Sequence, residues 1–168
     1  AWLDAQKLKP QSYQNFRRVL HLLFGFAVAR GYTADNPVAS VESIKVRGGD
    51  VGIFKPDEIQ RILAAADTDF LPSLVLGAFA GLRSAEIERL DWRDIDFKGL
   101  VIVIGASNSK TASRRVVPIC DNLASWLSPY ENLEGKVWKG LHDEFYDRQQ
   151  KAAKVSGVKW RPNALRHS

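Results

Sequence analysis

Two arginines stand directly after turns, far apart in the chain. Arg83 follows the glycine of Ala80-Gly81-Leu82-Arg83-Ser84-Ala85-Glu86, and Arg166 follows the proline of Pro162-Asn163-Ala164-Leu165-Arg166-His167. Between them, Lys110 sits in the small, polar stretch Gly105 to Ser113, the composition of a loop that reaches toward a ligand. A guanidinium is permanently charged, and its planar fork grips two oxygens of one phosphate. A loop lysine adds charge at a leaving oxygen and, with a lowered pKa, can deliver a proton. Phosphoryl transfer builds negative charge on non-bridging oxygens, so it needs cations fixed in place beforehand. Arg83, Lys110 and Arg166 are therefore expected to form a cationic pocket for one phosphate, although each alone is an ordinary surface residue. Glu86 lies one helical turn after Arg83 and can orient its guanidinium.

The composition narrows the partners of such a pocket. The 168 residues carry a net charge of +5, which favours an anionic partner because each cation set against a phosphate releases counterions. Lys136, Lys139, Arg148, Lys151, Lys154, Lys159 and Arg161 concentrate that charge late in the chain, where duplex backbone contact and an ordinary solvated helix face are both expected. A single cysteine, Cys120, excludes an internal disulfide and a Cys-rich zinc site; it is expected to be a small buried thiol in a reducing compartment. His21, His142 and His167 have no metal-ligand spacing, and no GxxxxGK[ST] or GxGxxG element is present, so neither metal nor nucleotide cofactor is expected. No apolar run is long enough for a membrane span, and residues 1–10 lack a signal-peptide core, so a cytoplasmic protein is expected. Because the sequence contains no methionine, it reads as a piece of a longer protein.

The elements that must position these residues follow from periodicity. Tyr13, Phe16, Leu20, Leu23, Phe24 and Ala27 fall at helical spacing over residues 12–30, with Arg17, Arg18 and His21 largely off that stripe. Adjacent glycines and charges at 47–52 read as a linker between an N-terminal unit, 1–46, and a larger domain, 53–168. Pro56 opens a helix with Asp57 and Glu58 in its first turn. Residues 70–80 are apolar almost all round, as in a helix enclosed by the core, and Gly81 interrupts them before a further helix from Ser84. Residues 92–97, 100–104 and 114–119 are rich in β-branched and aromatic side chains and predict three strands. Helices then return around Leu123, Trp126 and Leu127, and around Leu141, Phe145 and Ala152. The fold class is thus mainly α with a small three-stranded antiparallel sheet, an α+β domain.

These motifs resemble the tyrosine recombinase, or phage integrase, family. Gly81 to Glu86 followed by Leu90-Asp91-Trp92 and Asp94-Ile95-Asp96 is similar to the family's first arginine box; Lys110-Thr111 before Arg114-Arg115-Val116-Val117-Pro118-Ile119 is similar to its lysine hairpin; Pro162 to His167 resembles its His-x-x-Arg box. The resemblance covers residues 53–168, and the 12–30 helix resembles the end of the family's core-binding domain. It implies a tyrosine-recombinase catalytic-domain fold, two rounds of transesterification on double-stranded DNA, and no metal or nucleotide. Arg83 and Arg166 would clamp the scissile phosphate, Lys110 would protonate the leaving 5′-oxygen, and Glu86 would support the pocket. Arg114, Arg115, Lys159 and Arg161 are expected as further DNA contacts.

Two departures from the family pattern are visible. Asn163 stands where the family usually has histidine, so that position can donate a hydrogen bond but not shuttle a proton. The nucleophilic tyrosine follows the second arginine in the family, whereas Tyr13, Tyr32, Tyr130 and Tyr146 all precede Arg166 and read as packing residues. The fragment is therefore expected to be monomeric and unable to cleave, from a parent that works as a tetramer on DNA. The rival readings are a non-enzymatic DNA-binding module using the same cations, and a helical interaction domain without a nucleic acid partner.

Overall fold

A computed structural model describes residues 2–45, 52–105 and 114–168. The chain divides into two compact units, Ala1–Asp50 and Val51–Ser168. The linker expected at 47–52 falls almost entirely outside the described residues.

In the first unit, a short helix α1 (Trp2–Ala5) precedes the long helix α2 (Pro10–Ala29), which begins with proline at its first position, where a missing N–H costs nothing. Leu3, Tyr13 and Val38 form its small buried centre. The segment after α2 turns back along it and is pinned by side chains from the face expected to be polar. Arg17 Nε donates to the Val41 carbonyl at 2.7 Å, and Asn36 Nδ2 donates to the His21 carbonyl and meets His21 Nδ1, both at 2.9 Å. The apolar stripe is divided: Tyr13 is buried and Leu20, Phe24 and Ala27 are partly buried, while Phe16 and Leu23 are exposed.

The second unit is built around α4 (Leu71–Phe79), whose Leu74, Val75 and Leu76 are essentially inaccessible. A helix hydrophobic on every side is stable only when other elements cover it. Here α3 (Pro56–Ala64) packs on it through Ile62 and Leu63, α6 (Asp121–Leu127) through Leu123 and Leu127, and α7 (His142–Ser156) adds Phe145 and Ala152 to the same core. Phe145, Phe70 and Trp138 meet edge-to-face with ring centres 5.1 to 5.7 Å apart, the arrangement aromatic quadrupoles prefer. Each fully buried side chain of this size contributes about 1.5–3 kcal/mol.

The sheet has the order β1 (Ile95–Asp96), β2 (Val101–Ile104), β3 (Arg115–Pro118), antiparallel throughout. Ile102 and Ile104 of β2 point into the core, in register with Val117 and Arg115 of β3. Pro118 ends the edge strand, where a missing donor is tolerated. The first strand is shorter than its β-rich sequence predicts. Residues 92–94 form a 3-10 turn because the Asp91 carboxylate accepts from Arg93 N–H at 3.3 Å, while Asp94 reaches back to Asp91 N–H at 3.0 Å. Cys120, expected to be buried, is exposed: it is the extended residue between β3 and α6, outside the packed face of either.

Candidate functional site

The pocket begins where α4 ends. Gly81 takes φ +61°, a left-handed conformation that glycine adopts without strain, and Leu82 N–H reaches back to the Leu76 carbonyl at 3.3 Å. That turn leaves Arg83 extended at φ −76°, ψ 150°, ahead of the short helix α5 (Ser84–Ile87). The last helix, α8 (Ala164–His167), lies against the same place. A side chain at Gly77 would meet Leu165 at 3.5 Å, and one at Gly81 would meet the Arg166 carbonyl oxygen at 3.8 Å. These are ordinary van der Waals spacings, so α8 packs directly on α4 and its exit and brings the two arginine-bearing segments together, with Ala164 and Leu165 buried as the anchor. Asn163, just before α8, is itself left-handed at φ 60°, a conformation asparagine tolerates better than branched or bulky residues.

Arg83, Ser84, Tyr146, Asn163 and Arg166 consequently line one cleft. Its open mouth, about 340 Å³, adds Ala85 and His167, and its deeper part, about 280 Å³, is floored by Gly77, Leu82, Ile87 and Leu165. Among the described residues, Arg166 forms no ion pair, so its charge faces the cleft uncompensated.

Arg83 is held from behind. Glu86 is only 1% exposed, and its Oε2 accepts from the Arg83 backbone N–H at 2.8 Å while its Oε1 accepts from Arg83 Nη1 at 2.9 Å. Arg115, the first residue of β3, donates from Nη2 to Glu86 Oε2 at 2.8 Å. Burial pushes the Glu86 carboxyl up, but the backbone N–H and the two guanidiniums outweigh it and hold the group below the usual glutamate value, ionised at neutral pH.

The other expected residues are placed as follows. Lys110 lies outside the described residues. Arg114 and Lys159 are exposed. Arg161 is turned to the protein itself: its two terminal nitrogens bond Glu58 at 2.9 and 3.0 Å, and its guanidinium lies 5.1 Å from the centre of the Phe54 ring. Arg148 and Lys151 of the basic late region are bound to Asp67, which fastens α7 to the turn before α4. Tyr146 is the addition that the sequence did not suggest. It reads there as a packing residue, yet it is half-exposed on the cleft wall with its ring edge-on to His142 at 5.1 Å. Its place one turn after His142 on α7 is the signal available in the sequence, but only the tertiary placement of α7 across a cleft from α5 and α8 gives that face something to line.

Comparison with known proteins gives a consistent result. The profile of the phage integrase family matches residues 53–168. A protein named tyrosine recombinase XerC-like, from Caldanaerobacter subterraneus subsp. tengcongensis, is 36% identical over a 144-residue alignment that covers 68% of this chain and 37% of the relative. The protein IntQ of Escherichia coli K12, described as defective, is 28% identical over 97 residues, covering 57% of this chain and 24% of IntQ. The chain thus spans only between 24% and 37% of the length of these curated relatives. Among solved structures, lambda integrase bound to DNA superposes with a TM-score of 0.75 at 20% identity, over 98% of this chain and 66% of that one. The Tn1549 transposon integrase in complex with circular intermediate DNA gives 0.68 at 15% identity, over 98% and 66%. At such identities the structural likeness speaks for the fold.

Proposed function

The chain belongs to the phage integrase family, and on that premise we propose that it is the catalytic part of a site-specific tyrosine recombinase that binds double-stranded DNA and breaks and rejoins strands through a phosphotyrosine. In this reading residues 53–168 are the catalytic domain, 1–46 the end of a DNA-clamping domain, and 47–52 the linker. The observation that carries it is the convergence of Arg83 and Arg166 on one cleft, with Arg83 fixed by a buried carboxylate.

The chemistry follows from that convergence. Two guanidiniums set against the non-bridging oxygens of one phosphodiester stabilise the charge that grows as a tyrosine oxygen bonds to phosphorus and the bond to the 5′-oxygen breaks. Lys110 gives the departing 5′-oxygen its proton. Asn163, on the cleft wall, donates a hydrogen bond to the phosphate in place of the usual histidine. Because the phosphotyrosyl bond keeps the energy of the diester, rejoining is the same step in reverse. Arg114 and Lys159 contact the flanking backbone. No tyrosine of the sequence follows Arg166, so these 168 residues are expected to bind duplex DNA as a monomer and leave it uncut. The parent protein assembles as a tetramer across two sites.

The test is a titration with mixed-sequence duplex DNA at several salt concentrations. The logarithm of the binding constant should fall linearly with the logarithm of salt. A flat response near zero removes the DNA reading.

A further inference from the structure

The sequence reads Arg115 as a DNA contact, and its surroundings give it a partner within the protein. Its side chain is 36% exposed, but Nη2 donates to Glu86, and Nε is buried without a hydrogen-bond partner. On Arg115 the Nε side is closed to solvent, which shuts the side-on edge of the guanidinium to a phosphate. Arg115 is absent from both parts of the cleft wall, while Arg83 and Arg166 belong to each. Its neighbour Arg114 is exposed.

The charge balance gives Arg115 a different task. Glu86 paired with Arg83 alone would make a neutral couple, and Arg83 would offer the phosphate little net charge. With Arg115 on the same carboxylate, two guanidiniums share one negative charge, so the cluster keeps a positive charge beside that of Arg166. The bond is also a structural joint. It ties the start of β3, which directly follows the segment containing Lys110 in the sequence, to the turn that presents Arg83.

From these observations we infer that Arg115 is a positioning residue for the phosphate site, acting through Glu86 to keep Arg83 oriented and its charge available. This rests on the reading of the cleft as a phosphate site. Arg115 takes no part in the reaction and makes no contact with the phosphate.

The test is a double-mutant cycle on the 168-residue chain, with mixed-sequence duplex DNA as probe. Arg115→Gln should weaken binding about tenfold in the otherwise unchanged protein. In a Glu86→Gln background, where Arg83 no longer needs a second cation, the same change should cost less than about twofold. A direct phosphate ligand would instead lose the same factor in both backgrounds and lower the salt slope by about 0.9 in both; that outcome overturns the inference. Nuclear magnetic resonance of the arginine side chains supplies a second reading in the free protein. The Arg83 guanidinium signals should shift and broaden in Arg115→Gln, and unchanged Arg83 signals also overturn the inference. If Arg115→Gln melts too early to assay, Arg115→Lys replaces it, with smaller losses expected in the same pattern. A wild-type chain indifferent to DNA at every salt would sink the functional reading, and the Arg83 signals would still decide on Arg115.

Discussion

Two glutamates in this domain begin from the same local device and end in different roles. Glu58 and Glu86 each sit at the third position of a helix and accept from the backbone N–H just before it, at 2.8 Å in both cases. Each also receives a guanidinium distant in sequence. Glu58 is 15% exposed and takes the whole fork of Arg161, one charge against one, with Phe54 beneath the guanidinium. Glu86 is buried and is divided between Arg83 and Arg115, which leaves a cation over. The first arrangement closes the domain's beginning onto its end, and the second charges a cleft. The count of arginines per carboxylate, rather than the helix-start motif, separates a structural clasp from a candidate binding site.

The comparison can be broken most severely at the cleft. In the full-length protein containing these residues, Arg83→Ala or Arg166→Ala should lower single-turnover strand cleavage by at least about a hundred- to thousandfold. Duplex affinity should fall far less, by about tenfold, because most affinity comes from the wider basic surface. Equal loss of cleavage and affinity would count against a dedicated pocket. Next in size, Glu86→Ala strands a backbone donor and two guanidiniums, and should cost about 2–3 kcal/mol in urea denaturation. Glu58→Ala should cost less and lose its effect as salt is raised, since its partners can return to water. If the two substitutions matched, the distinction between buried hub and surface clasp would be wrong.

Gly81→Ala tests the turn that brings the arginine boxes together. Forcing an L side chain to φ +61° should cost about 1–2 kcal/mol and weaken DNA binding with it. The smallest effect is a pH dependence. Both carboxyls are held down in the folded protein, Glu58 to about 2, so the stability each adds is complete above the ordinary value of 4.5 and fades as pH falls below it. His142 behaves oppositely. The Glu88 carboxylate at 2.7 Å raises it, so its contribution is complete below 6.5 and fades as pH rises through its higher folded value. Melting curves across pH should therefore show a small decline above 6.5 that His142→Gln removes.

Much of this was legible in the residues themselves. The enclosed helix over 70–80 declared itself because it lacks a polar face, and Gly81, Pro56 and the glutamates at helix starts act over a few bonds, within reach of local rules. The strand expected at 92–97 failed at its first half because Asp91 and Asp94 satisfy each other's backbone more cheaply as a turn than β-prone side chains can in a ladder. Cys120 reads as a buried thiol yet is exposed, because burial depends on which face of a junction the core occupies. Arg114 and Arg115 look alike in sequence; their division into an exposed residue and a buried-site partner depends on how β3 meets α5. Arg161 likewise reads as a DNA contact until Glu58, over a hundred residues earlier, claims its fork.

The amino-acid order by itself determined the helical class, the small sheet, the two arginine boxes and the family, since these depend on side-chain type, spacing and backbone preference along short stretches. Only the tertiary structure decided which cations remain available. That depends on where carboxylates from other segments come to rest, and the electrostatics of a pair is set by distance and burial in space rather than by separation along the chain.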